Sequence, residues 1–556
     1  MKLRTSFFNT AVLRKDITRF APAWVLYTLG LGLCAFLMSG SSRDWLASNV
    51  AETLPGLAVV NLLYAFLNVQ LLFGDLFNNR MCNALHAMPM RREGWFLTHV
   101  TAGVAFSLIP TVFVALLLML PLGDMCYISL LVVLGSFLQY LFFFGLALFS
   151  CLCAGNRFAM GLIYGILNFL SLLVYWLADT LYKPMLYGVV ITPEPFQQFS
   201  PVVQMSGFEY LLTRFTEMGL RFRGLETAAW VYLLVCALIG IGLGALALVL
   251  YRKRQLEVAG DFIALKILEP VFLVAYSITL GGLMHMFYYA SEGDNMLLFL
   301  FIGVAIGWFT GRMLLMRTLK VFQKKTFLGL AAVMGALLLS LGLTALDMGG
   351  VEQWIPSVDQ VASVTVTPSR YGRLDACTTA DPHQISQVLQ IHQSILEEYE
   401  ESGGRQSIDG RRGYVTLTYK MKSGVTRQRQ YSLTVDSEAR VLLRKLLSSP
   451  KVLFDYEDYG QFLDNIGCVE FNGNAFYSHT IYASYVRALS EALWQDAEDG
   501  NLCQEWALLP DSSKTDVNEW VHIYWKNGSS LEIMITGHAG HTLSWLKENG
   551  LYKDIE

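Results

Sequence analysis

Charged residues are scarce in this 556-residue chain. They make up 15% of it, whereas an ordinary soluble domain carries about 25%. The shortage falls on residues 1–346, which hold 23 Lys/Arg and 16 Asp/Glu, a net charge of +7. Residues 347–556 hold 18 and 29, a net charge of −11. A basic apolar half followed by an acidic polar half is typical of a membrane domain joined to a water-soluble domain, and excludes a soluble enzyme, a disordered scaffold and a nucleic-acid binder.

Motifs of catalysis and metal binding are also missing. The sequence has no Walker A loop, no H-E-x-x-H and no G-x-S-x-G, so we expect no enzyme activity and no cofactor in this chain. Its nine cysteines show no C-x-x-C spacing, which indicates neither a zinc site nor a disulfide framework. Whether Cys377, Cys468 or Cys503 forms a disulfide stays open. His538 and His541 are a weak metal-like pair that a solvated turn explains better, so we expect no metal.

Long apolar runs are abundant in the first half. Nine of them are about 20 residues long, which is enough to cross the hydrocarbon core. Cationic loops are retained in the cytoplasm, and with a cytoplasmic N-terminus the inner segments carry 18 Lys/Arg against five in the outer segments. We also expect no cleaved signal peptide, because the basic N-terminus lacks a short apolar core and cleavage site. The predicted spans lie near 21–40, 57–77, 97–120, 127–152, 158–180, 228–251, 270–289, 296–316 and 327–346.

The second half has an α+β pattern. Apolar residues alternate with polar ones on both sides of Ser423-Gly424, and again on both sides of Asn527-Gly528, which predicts two β-hairpins. Helical periodicity is present over 383–401 and 436–448. The predicted fold class is therefore a polytopic α-helical membrane protein with about nine transmembrane helices, N-terminus inside and C-terminus outside, followed by a C-terminal α+β soluble domain. The predicted domains are a transmembrane domain, 1–346, and an extracytoplasmic domain, 347–556.

Two amphipathic segments outside the spans suggest helices at the membrane surface. Phe208, Leu211, Leu212, Phe215, Met218 and Phe222 share one face at helical spacing, which predicts either an interfacial helix or an ordinary packed loop helix. The first 20 residues form a second candidate, with Leu13, Ile17 and Phe20 on one side. Pro22 would then open the first span, where its missing N–H costs little.

Polar residues inside the spans are candidates for a translocation path, because each is costly in lipid and usually faces protein or water. Asn61, Asn68 and Asp75 recur every seven residues and share a helical stripe. Asn168 and Asp179 lie in a similar arc of the fifth span. The same residues equally suit interhelical hydrogen bonds, and we favour that structural role for Asn61 and Asn168. Asp75 and Asp179 sit near opposite membrane faces, where they can reach water.

A glycine ridge is present in the eighth span. Gly303, Gly307 and Gly311 follow at i, i+4 and i+8, a spacing that lets two helices approach closely. It predicts tight helix packing and says nothing of a substrate.

The segment between the second and third spans, residues 75–99, places Arg80, Arg91 and Arg92 around the apolar residues Met81, Leu85 and Met88. Pro89 should end a short helix near Met88. A short amphipathic helix with a basic rim is suited to docking a soluble partner. The alternative is a polar loop that satisfies the positive-inside rule, and the residues alone favour that alternative.

Four stretches resemble permease subunits of ABC transporters, of a type-2 exporter-like kind found in Gram-positive, clostridia-like bacteria. They are MKLRTSFFNTAVLRKDITRFAPAWVLYTL at the N-terminus, NNRMCNALHAMPMRREGWFLTH (78–99), YRKRQLEVAGDFIAL (251–265) and GRMLLMRTLKVFQKKTFLG (311–329). The stretches DMGGVEQWIPSVDQVASVTV (347–366) and TLSWLKENGLYKD (542–554) resemble an uncharacterised extracytoplasmic domain often fused to such permeases. The simplest of these permeases have six spans, whereas nine are predicted here.

This resemblance implies that residues 79–92 hold the coupling helix that sits in a groove of the ATPase. The implied ATPase contacts are Arg80, Leu85, Met88, Arg91 and Arg92. The N-terminal segment would be the connecting helix at the membrane surface. The implied partners are a separate ABC ATPase subunit, which would hold ATP and Mg²⁺, and a second permease subunit in a homo- or heterodimer. The implied location is the plasma membrane.

A sensory or regulatory membrane protein is the alternative interpretation, in which the acidic outer domain binds a ligand and the spans pass a signal inward. The absence of a cytoplasmic signalling domain counts against it. The sequence decides neither the substrate, nor import versus export, nor the role of the outer domain.

Overall fold

The structure is a computed structural model, and two compact units divide its contacts. The first unit contains residues 1–178 and 193–340, and the second contains 179–192 and 341–556. The sequence suggests a single boundary, at residue 346. In the structure, residues 179–192 also belong to the second unit, although they lie within the predicted transmembrane domain. The structure describes residues 8–39, 42–78, 80–83, 91–207, 211–216, 219–254, 260–264, 266–289, 296–369, 377–402, 413–433, 437–456, 458–472, 479–481, 483–502 and 518–552.

Helices dominate the first unit. A short amphipathic helix opens it, as the sequence predicts, and begins where the Asn9 side chain accepts hydrogen bonds from the backbone N–H groups of Ala11 and Val12, which is the usual way to satisfy the first donors of a helix. The helices are α1 (Thr10–Arg19), α2 (Ala21–Ser39), α3 (Arg43–Leu72), α4 (Arg92–Leu122), α5 (Cys126–Cys153), α6 (Arg157–Leu177), α7 (Glu194–Gln198), α8 (Pro201–Gly207), α9 (Thr227–Lys253), α10 (Glu269–Tyr289), α11 (Met296–Met316) and α12 (Lys324–Ala345).

Eight helical segments among the described residues have the length and apolar composition needed to cross a membrane. One of them, Arg92–Cys153, is 62 residues long and contains α4 and α5, which are separated by a single 3-10 turn, Gly123–Met125. The multi-pass membrane character predicted from the sequence is therefore confirmed. The prediction of nine crossings counts α4 and α5 separately, and it stays a prediction together with their direction.

The helix predicted over 208–222 is wrong. The described part of this segment forms a two-stranded antiparallel hairpin, β1 (Leu211–Thr216) and β2 (Gly219–Leu225). Along β2, Leu220 and Phe222 alternate with arginines, and this period of two fits a strand. Glycine at both ends of β2 weakens a helix further. Helical spacing and strand alternation coexist here, and the strand alternation prevails.

The second unit contains two modules, each with its own apolar core. Each module runs in the order long strand, short strand, long helix, hairpin, short helix. The first module is β3 (Val361–Ser369), β4 (Cys377–Thr379), α13 (Pro382–Glu401), β5 (Gly413–Met421), β6 (Thr426–Leu433) and α14 (Glu438–Ser448). The connection is α15 (Pro450–Leu453) and α16 (Tyr459–Asn465). The second module is β7 (Ile466–Asn472), β8 (His479–Ile481), α17 (Ala483–Glu498), β9 (Asn518–Trp525), β10 (Ser530–Thr536) and α18 (Gly540–Glu548).

The two modules share sheet topology and register, so they form a structural repeat. The strand orders, β4-β3-β5-β6 and β8-β7-β9-β10, are equivalent, and all the pairs are antiparallel. The register between the first and third strands shifts at the second residue of the first strand in both modules, at Ala362 in β3 and at Gly467 in β7. A bulge at the same place in both sheets is a further feature that the two modules share.

Both hairpins predicted from Ser423-Gly424 and Asn527-Gly528 are confirmed, as are the helices predicted over 383–401 and 436–448. Both turn glycines have a φ of +86°, in the region that favours glycine. The repeat itself is not among the sequence predictions.

Candidate functional site

An arginine-centred cluster ties together several helix ends of the first unit. Arg254, just after α9, donates from Nη1 to the Cys151 carbonyl near the end of α5, at 3.2 Å. Its Nη2 lies 3.5 Å from the Leu76 carbonyl, in the turn after α3. Arg92, the first residue of α4, donates in turn to the Arg254 carbonyl at 3.4 Å. Side-chain bonds to exposed carbonyls at helix C-termini satisfy acceptors that the helices leave free, so this cluster fixes the ends of α3, α4, α5 and α9 to one another.

The chain leaves this cluster as a short helical turn over residues 80–83. The Asn78 side chain accepts hydrogen bonds from the N–H of Arg80 at 3.0 Å and of Met81 at 3.5 Å, which caps the turn. Cys82 is buried, and burial raises the pKa of its thiol although the nearby Arg254 and Arg92 lower it. Arg80 and Met81 are exposed.

Of the five predicted ATPase contacts, the structure describes three. Arg80 and Arg91 are exposed, whereas Arg92 is half-buried in the arginine cluster. Arg92 thus supports the helix ends and is less available to a partner. Leu85 and Met88 lie outside the described residues.

Helix α1 is fixed to the same end of the first unit by three contacts. The Asn9 N–H donates to Thr98 Oγ1 of α4 at 3.2 Å. Asp16 and His99 form a buried pair between α1 and α4, and both side chains are 5% exposed. Arg19 Nη1 lies 3.5 Å from Asp75 Oδ2 in the turn after α3. The N-terminal helix is therefore docked on α4, beside the cluster that carries residues 80–83.

Two further connecting segments meet at this end. Residues 153–155 pair with residues 260–264 through three backbone hydrogen bonds, Gly155 N–H to Phe262 C=O, Gly260 N–H to Gly155 C=O and Ala264 N–H to Cys153 C=O. Arg252 contacts Glu93 at 3.2 Å, and Arg317 contacts Asp261 at 2.8 Å. These contacts bring together the connecting segments that are predicted, from their Lys and Arg content, to share one side of the membrane.

The predicted polar stripe of α3 lies against neighbouring helices. Asn61 and Asn68 are fully buried. Asn61 Nδ2 donates to Ser136 Oγ and Gln139 Oε1 of α5, both at 3.1 Å. Asn68 Nδ2 donates to Tyr140 Oη at 2.9 Å. These bonds are what interhelical polar pairs provide.

The other predicted path residues make hydrogen bonds or ion pairs of their own. Asn168 is buried in α6 and donates to the Tyr164 carbonyl one turn earlier, at 2.8 Å. Asp75 lies in a 3-10 turn beyond the end of α3 and pairs with Arg19. Asp179 follows α6 and pairs with Lys183 at 3.1 Å. These hydrogen bonds and ion pairs account for each residue separately, and the translocation path stays a prediction.

The glycine ridge of α11 faces α10. A Cβ added at Gly303 would lie 2.8 Å from the Cα of Gly281, and one at Gly307 would lie 2.8 Å from the Cα of Ser277. A Cβ at Gly311 would lie 2.8 Å from Leu273 Cδ1. Distances under 3 Å to a neighbouring backbone leave no room for a side chain, so the first two glycines set how closely α10 and α11 approach.

A buried polar cluster lies in the core of the first module. His392, on α13, is fully buried. Its Nδ1 lies 3.0 Å from Tyr419 Oη, and its Nε2 lies 2.6 Å from Tyr431 Oη. Burial, and then the nearby Arg429, lowers the pKa of the imidazole to about 4, while burial raises the pKa of both tyrosines. All three groups are therefore neutral at neutral pH, which suits a satisfied core better than acid–base chemistry.

A strap formed by residues 187–189 covers this cluster. The Gly188 carbonyl accepts the Gln430 N–H of β6 at 3.0 Å, and the Tyr187 ring stacks on Tyr399 with centroids 3.7 Å apart. Gly188 has a φ of +70°, and a Cβ there would lie 2.0 Å from Tyr431 Cε1. A glycine is required at this point for both reasons.

One of the two predicted metal-like histidines, His541, lies beside two carboxylates. His541 lies near Asp496 and Asp499, with one possible ligand atom from each of the three within 4.8 Å of the others. Both oxygens of Asp496 already accept backbone N–H groups, from His541 and Thr542 at the start of α18. This carboxylate is explained as a helix cap, and a metal role stays without support. Cys377 and Cys468 are unpaired, and Cys503 lies outside the described residues.

Comparison of the chain with protein-family models, with curated proteins and with solved structures gave no match.

Proposed function

We propose that this chain is the membrane-spanning permease subunit of an ABC transporter, in which a separate ATPase subunit docks on residues 79–92. The observation that carries the proposal is the capped turn at residues 80–83, which exposes Arg80 and Met81 beside an arginine-bonded cluster of helix ends. A coupling element must be exposed to its partner and stiffly joined to the helices it moves, and this segment has both properties.

The stiffness comes from the contacts behind the exposed turn. Cys82 is buried against the cluster, and Arg254 links the turn after α3 to the end of α5. Helix α1 is docked on α4 through the buried Asp16–His99 pair. A push on residues 80–83 would therefore reach several helices together, and such rigid-body movement of a packed bundle is a common basis of switching between two states.

The same proposal accounts for the missing Walker A loop, since ATP hydrolysis would belong to the partner. It implies that residues 79–92 and α1 face the cytoplasm of a plasma membrane, that nine helices cross, and that the second unit lies outside. It also implies a pair of permease subunits, identical or different. A sensor whose second unit binds a ligand is the alternative, and the experiment below distinguishes the two.

The test is purification of the full chain from its native membrane in a mild detergent, with identification of the proteins that accompany it. We expect an ABC ATPase in stoichiometric amount. Because two exposed cations of the turn and its flank would contact the partner, the double variant Arg80→Glu/Arg91→Glu should weaken that association by about tenfold or more.

Lys324→Glu is the matched control, because Lys324 is an exposed cation at the start of α12 and outside residues 79–92. It should leave the ATPase bound. An ATPase retained at the wild-type ratio by the double variant would contradict the docking assignment. Recovery of a kinase or another signalling protein in place of an ATPase would favour the sensor.

A further inference from the structure

A cavity of about 640 Å³ lies among four helices of the first unit. This volume is within the ~300–1,000 Å³ of typical small-molecule sites. The helices are α2, α3, α4 and α5. Representative lining residues are Gly30, Cys34, Gly56, Val60, Ala115 and Val132.

The cavity wall offers almost no hydrogen-bonding groups. The hydroxyls of Thr53, Thr111 and Ser129 each donate to a backbone carbonyl of their own helix, at 2.7, 2.8 and 2.7 Å. Among the described lining residues, Tyr27 has a buried hydroxyl beside those of Thr111 and Ser107, and its ring stacks on Tyr64. A wall of this kind suits hydrocarbon and disfavours water, because it offers a water molecule few hydrogen-bond partners.

The outer side of the cavity is bounded by α2, which carries exposed apolar side chains. Leu29, Leu33 and Phe36 are 63%, 59% and 73% exposed. Residues so apolar and so exposed on a helix of membrane-spanning length meet lipid chains. The cavity is partly open, so the surrounding bilayer is the medium that adjoins it.

We propose that this cavity binds one acyl chain of a membrane phospholipid, inserted between α2 and the α3–α4–α5 wall. Two glycines make the room. No atom lies within 4 Å of a Cβ added at Gly30 or at Gly56, so at both positions the wall is open where another residue would fill it. The acyl chain fills the space that α2 leaves between itself and the neighbouring helices. It holds α2 in place by dispersion and apolar burial. The proposal does not depend on the permease assignment.

The experiment is native mass spectrometry of the purified full chain after addition of palmitoyl-oleoyl phosphatidylglycerol. We expect the wild type to keep one phospholipid per chain under activation that strips the other lipids. The double variant Gly30→Leu/Gly56→Leu fills the cavity and should lower that retained fraction by about tenfold. Such a loss corresponds to about 1.4 kcal/mol of binding free energy, and leucine in place of helical glycine should not weaken the helices themselves.

Gly32→Leu/Gly242→Leu is the matched control, since both glycines are in apolar helices, lack neighbours within 4 Å and lie outside the cavity lining. It should retain the lipid. Tyr27→Phe should also retain it, because a hydrocarbon chain needs no hydroxyl; loss in this variant would overturn the proposal in favour of a polar ligand. Equal loss of lipid in the control variant, or full retention of lipid in the cavity variant, would also overturn the proposal. So would a cavity variant that changes from dimer to monomer without losing lipid.

Discussion

The two modules of the second unit have the same backbone plan and different cores. Strand order, the bulge in the first strand and the hydrogen bonds of the hairpin turn agree. Counted from the hairpin turns, Tyr419 and Tyr431 of the first module correspond to Ile523 and Ile535 of the second, and the long helices bury His392 in the first module and Leu493 in the second. Strand alternation, turns and bulges therefore specify this fold, and its centre tolerates either apolar packing or a polar cluster whose hydrogen bonds are complete.

The short helices of the two modules begin in a similar way. A carboxylate of the long helix accepts hydrogen bonds from backbone N–H groups at the start of the short helix. In the first module Glu398 accepts from Ala439, and in the second Asp496 accepts from His541 and Thr542. Glu398 is partly exposed, and Asp496 is fully buried. The interaction that fixes the angle between these helices is thus common to both modules, although the residues that fill their cores differ.

A polar side chain introduced into the apolar core of the second module should have the largest effect on stability. Leu493→His places an imidazole among apolar neighbours that offer no hydrogen bond, and it removes a fully buried leucine. We expect the second module to lose about 4 kcal/mol of stability from the two effects together. Amide hydrogen exchange of β9 and β10, compared with β5 and β6 of the same sample, measures the loss where it occurs.

Leu493→Met is the control for this exchange, because a volume-conserving apolar substitution should cost less than about 1.5 kcal/mol. A Leu493→His variant whose β9 and β10 amides exchange as slowly as in the wild type would show that the second core accepts a polar group. The two modules would then differ less than their side chains indicate.

Acid should destabilise the first module through His392. The imidazole has a pKa of about 4 in the folded chain and 6.5 in its unperturbed state, so between these values the unfolded chain binds more protons. The contribution of His392 to the free energy of unfolding is therefore fully present above pH 6.5. It is lost as the pH drops towards 4, by roughly 3 kcal/mol in all. Hydrogen exchange of β5 and β6 at about pH 7.5 and about pH 4.5, corrected for intrinsic rates, measures this dependence.

The second module is the internal reference, because its long helix, α17, contains no histidine and buries Leu493 in the core. Its histidines that pair with carboxylates, His522 and His541, are partly exposed, and exposed pairs contribute little. If β9 and β10 lost protection with acid as strongly as β5 and β6, the pH dependence would not come from His392.

Much of this fold follows from the sequence. Alternating residues around Ser423-Gly424 and Asn527-Gly528 predict the hairpins, and apolar length predicts the membrane-spanning helices. The hairpin at 211–225 is not found because its residues satisfy two periodicities at once. The repeat is difficult to recognise because the two modules share apolar alternation and a turn glycine but not the residues that fill their cores.

The candidate docking site is predictable only in part. The residues 80–92 stand out by basic and apolar spacing, but the contacts that make the segment stiff join residues far apart along the chain. Arg254 bonds to carbonyls of Leu76 and Cys151, and Asp16 pairs with His99. No local spacing rule links such partners. The available signal is that Asp16 is an ionisable group shortly before the first predicted span and His99 one inside the third, where polar residues usually have partners.

The stability of the first module should depend on whether every buried polar group of its core has a hydrogen-bond partner. His392→Leu removes the hydrogen-bond partner of two buried tyrosine hydroxyls, and we expect a cost of about 2 kcal/mol. The triple variant His392→Leu/Tyr419→Phe/Tyr431→Phe removes the hydroxyls as well and should recover most of that stability. Hydrogen exchange of β5 and β6 compares the two, and a triple variant less stable than the single one would show that the polar cluster contributes more than satisfied hydrogen bonds.

The smallest effect should be equal in the two modules. Gly424 and Gly528 both have a φ of +86°, and a Cβ at either would meet no atom within 4 Å. Alanine at each position is therefore strained only by its own backbone, and each variant should lose about 1 kcal/mol. Gly540→Ala is the control, because Gly540 begins α18 without a positive φ and a Cβ there has open space. Hydrogen exchange of the two hairpins measures both losses. The two turns have the same hydrogen bonds. Unequal losses of stability would therefore mean that the side chains of the core influence the turn, and that the backbone structure of a module depends on the residues that fill its core.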